Sequence, residues 1–319
     1  MKSSSIPVLV LFGPTASGKT GILFELSREI QIEVVSADSM QVYLGMDIGT
    51  AKPSADERAQ LPHHLIDIYE PSQQFNAGDF VRLAGEACLG ITSRGKLPVV
   101  SGGTGFYLKN LILGLSEAPP SNPEVREQLK KDLSEKGAAA LMEELAACDS
   151  VSAGRIHIND EYRLLRALEV FRSCGKPLSS FEVNRSSGEQ ERFNFILFGL
   201  TRPREELYRR INLRCAQMFK QGLPAEVRAL YEKGYTPNDP GLRAIGYREF
   251  FIESAEEPEK WRLSADNDGV QALIAQNSRR YAKRQITFFA GLPNVHWIEP
   301  AQNDTETAKI IRKRIQHEA

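Results

Sequence analysis

Short, mainly apolar runs punctuate the chain: Pro7 to Phe12, Ile32 to Val35, Leu97 to Val100, Phe193 to Leu200 and Pro293 to Ile298. Each is too short for a helix and shows no polar alternation, the signature of strands buried on both faces. Between them the apolar positions fall at helical spacing. Residues 21–30 follow the first run. Asn76 is placed to cap a helix carrying Phe80, Leu83, Ala84 and Ala87 on one side. A long helix from Arg204 has Leu207, Ile211, Cys215, Met218 and Phe219 on its apolar side and stops at Gly222 and Pro224. Two further helical stretches are expected to flank GLRAIGYREF (241–250). Strands alternating with helices predict an α/β fold with a parallel sheet.

One region departs from that alternation. Composition shifts at Ala118-Pro119-Pro120-Ser121-Asn122-Pro123, and from there to about Gly188 the pattern is helical only. The reading is an all-helical domain inserted between strands, with boundaries 1–120, 121–190 and 191–319. It is expected to move as a module, hinged at Pro119-Pro120 and near Ser187-Gly188.

The first strand runs into GPTASGKT (13–20), which matches G-x-x-x-x-G-K-[ST] in the required strand–loop–helix order. Such a loop turns its backbone N–H groups inward and adds the positive end of a helix, so it cradles a diphosphate or triphosphate. Lys19 reaches the outer phosphate and the Thr20 hydroxyl holds a magnesium ion. The fold class is therefore a P-loop NTPase-like parallel sheet flanked by helices, with the helical insertion. The second strand ends at Asp38 and Ser39, on the sheet edge where ligands sit. Asp38 could be a metal-water ligand, a general base or a structural cap. The third strand ends in Ser101-Gly102-Gly103-Thr104-Gly105 with no aspartate. Lacking that acid, the cradle points to transfer rather than hydrolysis.

Composition narrows the partners. The chain has 319 residues, 25% of them charged, and a net charge of -1, so any nucleic-acid site must be a local patch. Arg279 to Phe289 interleaves Arg279, Arg280, Lys283 and Arg284 with Tyr281, Phe288 and Phe289. This is either a solvated amphipathic face or an RNA surface. No apolar run approaches a membrane span. The N-terminus leads straight into the first strand, leaving no room for a signal peptide. Cys88, Cys148, Cys174 and Cys215 are scattered without C-x-x-C spacing, so zinc is not expected and reduced thiols of a cytoplasmic protein are. His63 and His64 read as structural rather than metal-binding.

Motifs along the full length resemble the bacterial tRNA dimethylallyltransferase family. They are GPTASGKT, S-x-DSMQVY (36–43), GMDIGTAKP (45–53), HHLIDI (63–68), GGTGFYL (102–108), RIHINDEYRLLRALEV (155–170), AEVRAL (225–230), RAIGYREF (243–250) and AKRQITF (282–288). The resemblance implies transfer of a dimethylallyl group from dimethylallyl diphosphate to N6 of adenine 37, beside the anticodon, in tRNAs reading codons that begin with U. It implies Asp38, Thr104 and Arg214 as catalytic residues. Gly13, Thr15, Ala16, Ser17, Gly18, Lys19 and Thr20 would hold the diphosphate, with Mg2+ on Thr20. It implies tRNA contacts at Asp38, Ser39, Met40, Gln41, Thr104, Arg126, Tyr162, Arg163, Leu164, Leu165, Arg166, Arg243, Ala244, Ile245, Gly246, Tyr247, Arg248, Lys283, Arg284, Gln285 and Phe288. Arg163 and Arg166 lie three apart, on one helix face. The helical insertion would grip the anticodon stem-loop. A monomer is expected, and no membrane partner. Ala290 stands where some members carry arginine. The alternatives are transfer to free AMP, an ATP-dependent small-molecule kinase using the nucleotide-binding loop, and a non-catalytic RNA-binding protein.

Overall fold

The computed structural model describes residues 5–181, 192–255, 257, 260–301 and 303–318. The chain divides into two compact units, Met1–Ile112 with Gly188–Ala319, and Leu113–Ser187.

The larger unit is built on β1 (Ile6–Phe12), whose seven residues carry no polar side chain. It pairs in parallel with β4 (Leu97–Gly102) on one side and β5 (Phe193–Leu200) on the other. Outside them lie β2 (Ile32–Ala37), the two-residue β3 (His63–His64) and β8 (Val295–Ile298), giving the order β3-β2-β4-β1-β5-β8. Side chains alternate across the sheet. Val8, Val10 and Phe12 join a core with Phe80, Leu108, Ile211, Ile274 and Phe289. These come from α3 (Ala77–Ser93), α4 (Gly105–Leu113), α8 (Arg204–Lys220) and α10 (Asn267–Phe289). Leu9 and Leu11 face the other way, against Ile22 and Leu26 of α1 (Lys19–Ser27) and Ala308, Ile311 and Ile315 of α11 (Asp304–Glu318).

This topology places the chemistry. The chain leaves β1 through α1 for β2, and β4 later fills the gap between them. The carboxyl ends of β1, β2 and β4 therefore meet at a switch point. Gly102 makes the meeting possible: a side chain there would collide with the Ala37 backbone, and the Thr104 N–H donates to the Ala37 carbonyl at 3.1 Å. The cap read at Asn76 is present, its side chain accepting from the Gly78 and Asp79 N–H groups.

Two features differ from the sequence reading. After GLRAIGYREF the chain makes an antiparallel hairpin, β6 (Phe251–Glu253) with β7 (Trp261–Leu263), before α10 begins. Strands of three residues are too short for alternation to register. The chain also ends in α11, which the sequence reading passed over. Gly222 and Pro224 do end α8, and they also start α9 (Leu223–Glu232), with Gly222 as its N-cap residue.

A carboxylate far away in sequence organises the 46–50 loop. Glu226 of α9 accepts the N–H groups of Asp47, Ile48 and Gly49 at 3.1, 2.8 and 3.2 Å, and the Tyr247 hydroxyl at 2.6 Å. Lys52 donates to the Tyr43 carbonyl, Asp47 and Asp67, closing the loop from its other end.

The helical unit contains α5 (Pro123–Cys148), the short α6 (Ser150–Ala153) and α7 (Glu161–Cys174). Asn122 caps α5 with Pro123 behind it, and Gly137, at φ +78°, breaks that helix. Leu129, Leu141, Leu145, Leu164, Leu165 and Leu168 form its core. Inside sits a fully buried carboxylate, Glu169. Burial pushes its carboxyl up, but the Ser121 hydroxyl, the Asn122 N–H and Arg166 outweigh that and hold it below the usual range. Arg166 also donates to the Pro119 carbonyl at 2.5 Å. Of the two hinges read from sequence, Ser187-Gly188 lies outside the described residues.

Candidate active site

The cradle forms at the end of β1. Gly18 closes it at φ +104° as the N-cap residue of α1, and Ala16 also takes a positive φ, +64°. Lys19 lies back along the loop, donating to the carbonyls of Gly13 at 2.9 Å and Pro14 at 3.1 Å. Burial first and Arg214 second lower its pKa to about 8, against an opposing pull from Asp38. Ser17 is fully buried, and its hydroxyl has no hydrogen-bond partner among the described residues. An orphaned buried donor costs free energy unless a ligand satisfies it.

Side chains from distant elements converge on this loop. Arg214 of α8 donates from Nη1 to the Thr15 hydroxyl at 3.2 Å. Desolvation lowers its pKa, with Asp38 working the other way. Asp38 follows β2 and accepts the Met40 N–H at 2.9 Å. Thr104 Oγ1 accepts the Ser39 N–H at 3.0 Å and makes a longer 3.3 Å contact with the Ser39 hydroxyl. Its proton is shared between the Ser39 hydroxyl and Tyr281.

The crevice has two lobes. A polar lobe of about 360 Å³ is lined by the cradle, Asp38, Ser101 to Gly103, Arg210 and Arg214. A more apolar lobe of about 210 Å³ is lined by Ile211, Cys215, Met218, Ala244, Ile245 and Ile274. Thr15, Asp38, Thr50, Arg214 and Tyr281 border both. The site-bearing lobes lie within the larger unit.

Sequence reasoning missed Tyr281 as a site residue and saw only an interleaved aromatic. Burial, followed by the Asp38 carboxylate, pushes its phenol up to about 12, while hydrogen bonds with Thr104 and Gln285 oppose the rise. Gln285 proves to be a clamp. Its Oε1 accepts the Thr15 N–H at 2.9 Å and its Nε2 donates to the Gly103 carbonyl at 2.8 Å, tying the two glycine loops together. At 5% exposure it offers no side-chain surface to RNA. Leu164, Leu165, Ala244, Gly246 and Tyr247 are buried as well, and they hold their segments in place.

The exposed members of the expected RNA set are Tyr162, Arg163, Arg243, Arg248, Lys283, Arg284 and Phe288. Ser39, Met40, Gln41, Thr104, Arg126, Arg166 and Ile245 are half-buried. Arg163 and Arg166 behave differently despite their shared face. Arg163 pairs at the surface with Asp160, while Arg166 is committed to Glu169 and Pro119. Tyr162 is 73% exposed, with the Arg126 guanidinium 5.0 Å over its ring.

A metal would find hard oxygen donors here: the exposed Thr20 and the Asp38 carboxylate both line the polar lobe. That set suits a divalent cation such as magnesium, which keeps waters and takes phosphate oxygens. Among the described residues no group of three or more His, Cys, Asp or Glu forms a cage. An ion here would rest on Thr20, the ligand's phosphates and water. No helix among the described residues is long and apolar enough to cross a membrane.

The sequence model of the family described as IPP transferase matches residues 41–291, and that described as isopentenyl transferase matches residues 6–67. The chain is 43% identical over 310 residues to the tRNA dimethylallyltransferase of Geobacter sulfurreducens, covering 97% of each. It is 42% identical to tRNA dimethylallyltransferase 1 of Trichlorobacter lovleyi, covering 93% of this chain and 94% of that one. Among solved structures, the tRNA isopentenylpyrophosphate transferase of Bacillus halodurans aligns with a TM-score of 0.67 at 34% identity, covering 98% of both. A eukaryotic dimethylallyltransferase acting on tRNA aligns at 0.79 and 25% identity, covering 98% of this chain and 80% of that one.

Proposed function

The chain belongs to the IPP transferase family, and on that premise we propose that it transfers the dimethylallyl group of dimethylallyl diphosphate to N6 of adenine 37 in tRNAs reading U-initial codons. The observation that carries this reading is the crevice in which a diphosphate cradle, Asp38 and Arg214 converge beside an apolar lobe, with Thr104 hydrogen-bonded to Ser39 at its wall. The diphosphate lies in the polar lobe, on the cradle N–H groups and Lys19. The five-carbon chain enters the apolar lobe, and the adenine approaches Asp38 after leaving its stack. The N6–C1 bond forms as the C1–O bond breaks and diphosphate leaves. Asp38 takes the proton from N6, whose lone pair is delocalised into the ring and needs that help. Thr104 turns its O–H toward the bridging oxygen, while Arg214 and Lys19 meet the charge building on the leaving group. Magnesium bound at Thr20 would neutralise further charge on the diphosphate.

The test is incubation with labelled dimethylallyl diphosphate and either tRNA or AMP, with and without ATP. Label entering tRNA in nucleotide-free buffer supports the reading. Label entering AMP alone, or strict dependence on ATP, refutes it.

Lys19 adds a pH signature. It is charged below about pH 8 in the ligand-free chain and loses its proton above that. Diphosphate affinity should therefore hold up to about pH 8 and fall above it, by up to about tenfold per unit. Lys19→Arg keeps its charge and should lack this fall. Parallel wild-type and Lys19→Arg profiles would show that Lys19 is not a phosphate ligand.

For RNA, the helical unit is proposed to grip the anticodon stem-loop. Exposed Tyr162, backed by Arg126, offers a stacking platform, and Arg163 a phosphate contact. Lys283→Ala and Arg163→Ala should each weaken stem-loop binding and flatten its dependence on log salt by about 0.7 to 0.9. Turnover at saturating tRNA should stay nearly constant. Arg166→Ala should instead destabilise the helical unit, because it strips a partner from buried Glu169. Binding measured across a salt series decides: unchanged slopes in both variants remove these residues from the interface.

A further inference from the structure

The cradle opens on one flank toward Asp38, Arg214 and the apolar lobe. On its other flank, over Gly18 and Gly21 of the first turn of α1, stands Asp304, the first residue of α11. Its carboxylate lies so close that any side chain at Gly21 would collide with it, and Oδ1 is 3.9 Å from where a Gly18 Cβ would be. Helix pairing holds it there: Thr305 Oγ1 donates to Glu25 at 2.7 Å, and Arg312 pairs with Glu29 at 2.7 Å. Nothing in the proposed transfer uses Asp304.

Two arginines share this flank. Arg202 Nη2 and Arg210 Nη2 lie 3.2 and 3.6 Å from the same Gly18 position. Both are tied to the outside of the loop, Arg202 Nε donating to the Ser17 carbonyl at 2.7 Å and Arg210 Nε to the Ala16 carbonyl at 2.8 Å. Glu206 pairs with Arg202 at 2.8 Å and reaches Arg210 at 4.0 Å. Arg209 also acts on Arg210, so Asp304 and Glu206 are the two negative groups that offset the cations of this flank. Without Asp304 the flank would be distinctly more positive.

A diphosphate whose one substituent departs toward Asp38 can fill the polar lobe without extending past Gly18 and Gly21 toward Asp304. A third phosphate, or a nucleoside joined through it, has to run out past Gly18 and Gly21. It would meet a carboxylate at contact distance, where like charges repel strongly. We propose that Asp304 is a specificity residue: it closes the outer flank of the cradle to triphosphates and nucleotides and leaves a site for a diphosphate substituted on one side only. The proposal rests on the reading of the cradle as a diphosphate site.

The experiment measures binding of pyrophosphate, tripolyphosphate and ATP to the wild-type chain, Asp304→Asn and Asp304→Ala. Asp304→Asn keeps the side chain's size and an acceptor at the helix start, so it separates charge from folding. Removing the charge should tighten all three anions somewhat, so the informative quantity is the preference for pyrophosphate over tripolyphosphate. That preference should be marked in the wild type and fall by at least about tenfold in Asp304→Asn. Asp304→Ala, which also frees volume, should add measurable ATP binding. An unchanged ratio in both variants, or a wild type that already binds tripolyphosphate as tightly as pyrophosphate, overturns the assignment. A wild type that binds no pyrophosphate overturns the cradle reading itself, which distinguishes the two failures.

Discussion

Asp38→Ala is expected to lower single-turnover prenylation by roughly a hundred- to ten-thousand-fold, the usual cost of a lost general base. Affinity for an anticodon stem-loop should stay within a few-fold. The surroundings of Asp38 sharpen the expectation. It is the negative group that both Lys19 and Arg214 feel in the crevice. Removing it leaves those cations facing the diphosphate without that competitor, so at a pH where Lys19 is still charged diphosphate should bind at least as tightly while turnover collapses. Asp38→Asn keeps an oxygen to accept the Met40 N–H yet cannot take a proton at neutral pH. Its rate should fall as far as that of the alanine variant. If asparagine restored most of the rate, Asp38 would be a structural cap. If tRNA binding fell at an unchanged single-turnover rate, its role would be positioning.

Arg214→Ala should be the second large loss, on the order of a hundred- to a thousand-fold in the chemical step, comparable to deleting a donor aimed at developing charge. Arg214 sits where desolvation makes its charge effective, and it is anchored to the Thr15 hydroxyl at 3.2 Å. Two further readouts separate this role from general damage. The salt dependence of stem-loop binding should not move, since Arg214 is assigned to the diphosphate. The break in the pH profile of diphosphate binding should move above about 8, because Arg214 is one of the groups holding the Lys19 pKa down. A variant that lost salt slope, with the pH break unmoved, would place Arg214 on the RNA instead.

Much of this was legible in the sequence because its signals are local. The unbroken apolar run before GPTASGKT implied a doubly buried strand, and β1 is that strand at the centre of the sheet. Asn76 announced the start of α3, and the structure adds Asp79 as the other half of a capping box. The run of helical periods after Pro123 announced a unit with its own leucine core. The hairpin at Phe251–Glu253 and Trp261–Leu263 stayed hidden because three residues cannot show a period. The last helix was passed over although Ala308, Ile311 and Ile315 are spaced to bury one face.

By itself the sequence determined the cradle, the strands that end around it, the place of Asp38 at a strand terminus and the family whose motifs it carries. These follow from neighbours along the chain, where backbone periodicity and turn chemistry act over a few residues. Only the tertiary structure decided which side chains do which work. Gln285 is a buried clamp between two glycine loops, and Arg166 a partner to buried Glu169 while Arg163 stays at the surface. Glu226 caps a loop almost two hundred residues upstream, and Asp304 stands over the first turn of α1. Each outcome depends on distance, burial and charge balance between groups far apart in the chain, and no local pattern records those.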